Sequence, residues 1–126
     1  TAAGLAIGLK GVSPLYVGSA LKGVQLEDLL TRLLAQTLCD AHWAAELMQR
    51  VHVWNDAHAG GFGQIDEDVK AFILDWESET AVPLDGVYTA KTLLRLRQFL
   101  AASSELHGKR ILFIHTGGLQ GNRSWR

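Results

Sequence analysis

Apolar positions along this chain change their spacing several times, and each change marks a new element. Residues 1–10 (Thr-Ala-Ala-Gly-Leu-Ala-Ile-Gly-Leu-Lys) are small and apolar, the composition of a helix packed closely on a sheet, with Thr1 able to cap it. Gly11 to Pro14 breaks that helix. Leu15-Tyr16-Val17-Gly18-Ser19 is an apolar run of strand length, followed by a turn at Lys22-Gly23. Leu26, Leu29, Leu30, Leu33, Leu34 and Leu38 then recur at three- and four-residue spacings, which places a leucine stripe on one helix face. A further helical stretch runs from about Asp40 to Gln49, and Val51-His52-Val53-Trp54 reads as a second short strand. Residues 55–63 have loop composition, with Gly60, Gly61 and Gly63 close together, a density that suggests backbone packed against something.

Asp66 suits an N-cap, Glu67 and Asp68 place negative charge in the first turn, and Val69, Phe72, Ile73 and Trp76 form an amphipathic stripe. That helix should stop before Pro83, because the residue ahead of a proline is steered out of helical geometry. Leu84 to Tyr88 is a connector, and Thr89 opens a last helix with Leu93, Leu96 and Leu100 inward and Arg95, Arg97 and Gln98 outward. Ile111-Leu112-Phe113-Ile114 is uninterrupted apolar sequence, as expected of a strand covered on both faces, and Gly117-Gly118 ends it. Strands alternating with helices predict a single α/β domain over residues 1–126, with a parallel sheet, helices on both faces and right-handed crossovers. Ligands of such sheets sit at the carboxyl ends of strands, which directs attention to the loops after Trp54 and His115.

Composition narrows this picture. The 126 residues are 48% apolar and 20% charged, enough for one core. A formal charge of −1 provides no field to attract nucleic acid, and no apolar run reaches the length of a membrane span. Cys39 is the one cysteine; its helix-forming neighbours predict a buried apolar role, and a reducing, cytoplasmic compartment is the expectation. His42, His52, His58, His107 and His115 lack zinc-site spacing, so no metal is expected. The chain opens on Thr1-Ala2-Ala3-Gly4 without methionine, and the expectation is that an amino-terminal portion lies outside it.

Thr116, Gly117 and Gly118 follow the apolar run, placing a hydroxyl and two residues without side chains where a flat ligand could approach; a plain strand-ending turn has the same composition. The longer run from Ile111 through His115-Thr116-Gly117-Gly118-Leu119-Gln120-Gly121 to Asn122-Arg123 resembles the carboxyl-terminal signature of the aminocyclopropanecarboxylate deaminase/D-cysteine desulfhydrase family of fold-type-II (tryptophan synthase β-like) enzymes, which use pyridoxal 5'-phosphate. Gly60-Gly61-Phe62-Gly63 resembles the family's glycine-aromatic-glycine loop, and Pro83-Leu84-Asp85-Gly86-Val87-Tyr88-Thr89-Ala90-Lys91 its proline-leucine-aspartate...tyrosine segment. Thr1-Ala2-Ala3-Gly4-Leu5-Ala6 is similar to the end of its glycine-rich phosphate loop, and amides at a helix start together with a threonine hydroxyl suit a phosphate dianion.

The resemblance implies a set of roles. Tyr88 would be the active-site tyrosine taking part in acid-base or nucleophilic steps. Thr116 would face the pyridine nitrogen, a weaker partner than a carboxylate, which favours elimination. Thr1, Thr89, Gly117 and Gly118 would also belong to the cofactor site, and Gly61 and Phe62 to the substrate side. Deaminases of the family carry glutamate after the tyrosine; Thr89 here fits the desulfhydrase side. Phe62 departs from the tyrosine of well-known members and cannot donate their hydrogen bond. His115, Asn122 and Arg123 belong to the motif without an assigned role.

Members hold the cofactor as a Schiff base to one lysine. Lys10, Lys22, Lys70, Lys91 and Lys109 lie outside the family's asparagine-lysine context, so that lysine is expected in sequence beyond this chain. The implied activity is β-elimination on a small amino acid, giving an α-keto acid and ammonia, in an enzyme that is commonly a homodimer. The alternatives are a non-catalytic homologue binding an amino acid or nucleotide in the same crevice, and a folded fragment without activity.

Overall fold

The computed structural model describes residues 1–61 and 63–126. Its order is α1 (Ala2–Leu9), β1 (Leu15–Gly18), α2 (Leu26–Leu38), α3 (Ala41–Met48), β2 (Val51–Trp54), α4 (Glu67–Thr80), α5 (Thr89–Ala102) and a 3-10 helix at Leu119–Ser124. Among the described residues no helix is long and apolar enough to cross a membrane.

Strands β1 and β2 pair in parallel, with Leu15 opposite Val51 and Gly18 opposite Trp54. Alternation along a strand sends neighbouring side chains to opposite faces. Leu15 and Val51 therefore meet one group of helices, joining a core of Ala6 from α1, Leu34 from α2 and Ala44 from α3. The other face carries Tyr16 and Trp54 against Phe99 of α5, with ring centroids 5.9 and 5.6 Å apart. Close approach of α5 needs Gly18: a Cβ there would fall 2.5 Å from Thr92 Oγ1. The expected parallel sheet with helices on both faces is present on a reduced scale, as two strands.

The second core belongs to α4 and α5. Val69, Phe72 and Ile73 of α4 pack with Leu84, Ala90 and Leu93, and Phe113 and Trp125 lie against them. Asp66 caps α4 as its type predicts, accepting from Val69 N–H at 2.9 Å. Helix α4 ends in a left-handed residue, Ala81, two positions ahead of Pro83.

Three expectations are corrected. Ile111–Ile114 forms no ladder among the described residues; Leu112 is 83% exposed, and the run is anchored through Phe113 alone. Apolarity there expresses a demand for burial, and a strand needs a pairing partner as well. Cys39 is exposed, because it adopts the left-handed conformation that ends α2 and so leaves the leucine face. That face is itself only half covered: Leu30 and Leu34 are buried while Leu29 and Leu33 are exposed. Thr1 precedes α1 as expected but makes no side-chain capping bond.

Candidate functional site

The motif residues gather around the first turn of α5, and Asp85 organises that turn. Its carboxylate is fully buried and accepts four hydrogen bonds: Val87 N–H and Tyr88 N–H on Oδ1 at 2.9 and 2.7 Å, and Thr89 N–H and the Thr89 hydroxyl on Oδ2 at 2.9 and 2.5 Å. The Asp85 amide donates back to Thr89 Oγ1 at 2.9 Å. These bonds satisfy donors at the helix start that have no partner within the helix, and the negative charge sits at the positive end of its dipole. Asp four residues ahead of Thr at a predicted helix start was the available signal for this ring.

Tyr88 stands at the N-cap position of α5 and is 42% exposed, so the buried ring beneath it holds an accessible phenol. Thr89 is 1% exposed and its hydroxyl is engaged with Asp85. The Thr116–Gly118 turn approaches from the other side. Gly118 has φ 92°, and a Cβ there would lie 2.9 Å from Asp85 Cγ, so both its conformation and its contact require glycine. Thr116 is exposed.

His115 fastens the same turn. Its Nδ1 accepts from Gly117 N–H at 3.1 Å, which makes Nε2 the protonated nitrogen and lets it donate to Pro83 O at 2.9 Å. Asn122, buried, donates to Leu84 O at 2.8 Å and accepts from Gly86 N–H at 2.9 Å. Both residues thus tie the carboxyl-terminal motif to residues 83–86. Arg126 completes the attachment with two bonds of 2.7 Å to Glu77 on α4. Arg123 is exposed and lines an open cleft of about 300 Å³ with Pro83, Leu119, Asn122 and Arg126.

The glycine loop is held by a residue to which the sequence assigned no role. Lys91 of α5 is 2% exposed, and its Nζ donates to His58 O at 2.8 Å and Gly61 O at 2.7 Å. Burial pushes its pKa below the ordinary lysine value, partly opposed by Asp66 and Asp85. Lysine is rarely buried, so its type carried no warning. Lys70, by contrast, pairs at 2.7 Å with exposed Glu67. Phe62 lies outside the described residues.

The glycine loop is therefore fixed to Lys91 in the first turn of α5, and the Thr116–Gly118 turn to residues 83–86 just ahead of that turn, with Tyr88 at the N-cap between them. No family model matches the chain. It is 32% identical over 124 residues to D-cysteine desulfhydrase of Klebsiella pneumoniae, an alignment covering 94% of this chain and 37% of that protein. It is 33% identical over 129 residues to a Pyrococcus horikoshii protein provisionally named 1-aminocyclopropane-1-carboxylate deaminase, covering 96% of this chain and 37% of the relative. D-cysteine desulfhydrase of Salmonella schwarzengrund is 29% identical over 120 residues, again with 37% of its length covered.

Over nearly its whole length the chain is similar to proteins of the D-cysteine desulfhydrase/1-aminocyclopropane-1-carboxylate deaminase family. The chain spans 37% of the length of these relatives. Lys91 and Asn122, both buried, hydrogen-bond the glycine loop and the carboxyl-terminal motif to the segment 83–91, whose own turn Asp85 braces.

Proposed function

We propose that this chain is the carboxyl-terminal portion of a fold-type-II pyridoxal-phosphate lyase, acting on a small amino acid with a β leaving group and releasing an α-keto acid and ammonia. The carrying observation is the convergence of the Gly61 loop, Tyr88 and the Thr116–Gly118 turn on the start of α5, through Lys91 and Asp85.

The donor set fits the cofactor in part. Thr1 has no side-chain bond to α1, which leaves its hydroxyl and the first amides of that helix available to a phosphate. Thr116 is exposed and offers a neutral hydroxyl to a pyridine nitrogen, and Gly117 faces open space where a flat ring could approach, whereas the space at Gly118 is taken by Asp85, so its part is to seat the turn. Thr89 fits less directly: its hydroxyl proton goes to Asp85, so its part is to hold Tyr88 in place. Among the described residues Lys91 is the one deeply buried amine, and its Nζ bonds run to the loop carbonyls of His58 and Gly61; we therefore place the lysine that binds the cofactor outside these 126 residues as part of the proposal.

Pyridoxal phosphate, when bound, supplies an electron sink for negative charge at the substrate Cα. Tyr88 then serves as the group that moves a proton at the substrate. Gly61 and Phe62 shape the substrate side, and the weak threonine partner at the ring nitrogen favours elimination over cyclopropane opening. A homodimer in a reducing cytoplasmic compartment is the accompanying proposal.

The test is reconstitution of the whole protein with pyridoxal phosphate. Visible cofactor absorbance, pyruvate release from D- or L-cysteine, and failure to turn over 1-aminocyclopropane-1-carboxylate are expected. Absence of both absorbance and turnover overturns the reading in favour of a non-catalytic homologue. Tyr88→Phe should lower kcat by about 10²–10⁴-fold, the span of a lost proton-transfer group.

A further inference from the structure

We propose that Lys91 is a positioning residue: its buried ammonium clamps the glycine loop to α5 and so sets the distance between that loop and Tyr88. The inference rests on the proposed function for its catalytic consequence, and on the hydrogen bonds alone for its structural one.

Loop residues 59–61 all have positive φ, a conformation that L side chains rarely adopt. Ala59 and Gly60 have φ of 43° and 90°, and Gly61 has φ of 143°. Ala59 is a non-glycine residue in left-handed backbone, which persists only when its surroundings impose it. Within the loop, Gly61 N–H reaches His58 O at 3.1 Å, and that carbonyl is one of the two that Lys91 binds. The other, Gly61 O, also accepts from Gln64 N–H at 3.4 Å. The ammonium thus sits at both ends of the turn and draws its carbonyls inward.

The clamp starts from the same turn as the phenol. Lys91 is three residues after Tyr88, and the two are separated by Thr89 and Ala90, both buried. Asp85 holds the turn rigid at its other side through Tyr88 N–H. Desolvating an ammonium is costly, and two carbonyl acceptors compensate only part of it. Retaining a lysine here has a physical use if the geometry of the loop matters more than the stability of the core.

Lys91→Met keeps the length and apolar stem of the side chain and removes its donors. In the whole protein, amides 58–64 should then exchange with deuterium at least tenfold faster than in wild type, while the buried amides of α4 keep their rate. With D-cysteine as the probe, KM should rise more than kcat falls, and the cofactor absorbance should keep its wavelength. Lys91→Gln, with a shorter neutral donor, should restore part of the loop protection.

Wild-type protein provides a test independent of either variant's folding. Acetylation of Lys91 under native conditions should proceed at the opening rate of the loop amides, faster than the global opening seen in α4. Loop exchange and KM within twofold of wild type in Lys91→Met, or acetylation limited by global unfolding, would overturn the clamp. If wild-type protein shows neither cofactor absorbance nor turnover, the proposed function fails, while the exchange and acetylation results still decide the clamp.

Discussion

The Thr89 hydroxyl donates to Asp85 Oδ2 at 2.5 Å while accepting the Asp85 amide at 2.9 Å, so the two residues close a buried ring at the start of α5. A hydroxyl has one proton, and here it is committed within the protein. Thr89→Val keeps the shape and leaves both Asp85 groups short of a partner, so urea unfolding should show a loss of about 1–3 kcal/mol. Thr89→Ser keeps the hydroxyl and should lose less. In the reconstituted whole protein, Thr116→Val should shift the visible band of the cofactor, whereas Thr89→Val should leave its wavelength unchanged.

Asn122 is the corresponding support for the carboxyl-terminal motif. Its amide both donates to Leu84 O and accepts from Gly86 N–H, a pairing no aliphatic or acidic side chain reproduces. Asn122→Ala should cost on the order of 2–4 kcal/mol in chemical denaturation, since two buried backbone groups lose their partners. Asn122→Asp retains the acceptor and turns an anion toward Leu84 O, so it should also destabilise. Wild-type stability in both variants would refute this account.

The contact between β1 and α5 can be tested with a double-mutant cycle. A Cβ on Gly18 would meet Thr92 Oγ1 at 2.5 Å and Cγ2 at 2.9 Å. Gly18→Ala should destabilise by about 1–3 kcal/mol as overpacking does. Thr92→Ala removes both clashing atoms, so the double variant should recover most of the loss. Additive effects of the two substitutions would mean that the helix shifts to make room.

Tyr16 links the sheet to the segment after α5 by donating to Glu105 Oε1 at 2.9 Å, and it stacks on His52 at 4.7 Å between centroids. Burial foremost, then the Glu105 hydrogen bond and charge, raises its pKa above the ordinary 10.0, with Arg50 opposing. The folded state therefore holds the phenol proton more tightly than the unfolded chain. The resulting stability is fully present below pH 10.0 and is lost as pH rises through the higher folded value. Denaturation midpoints should fall from about pH 10 upward in wild type, and Tyr16→Phe should flatten that slope.

Much of the fold was readable from the order of residues because its causes are local. The Asp66 cap, the Val69-Phe72-Ile73 stripe and the stop before Pro83 each act within one or two turns, and α4 follows them closely. Strands β1 and β2 were likewise visible as short apolar runs between turn residues. The motif segments around Gly61, Tyr88 and Thr116 could be recognised in the sequence, but their mutual attachment could not. Asn122 reaches partners 36 and 38 residues away that no spacing rule connects, and Lys91 is buried against its type.

Two contrasts show where local information ends. Ile111–Ile114 has the composition of a covered strand, yet a ladder depends on a neighbour that composition does not supply. Lys91 has the composition of a surface helix, yet tertiary packing places its ammonium beneath the glycine loop. Sequence alone determined the helices, the two short strands and the family motifs, since propensity, capping and periodicity act over a few residues. Tertiary structure alone decided which of those motifs share a support, because hydrogen bonds across 30 to 38 residues exist only once the chain has folded.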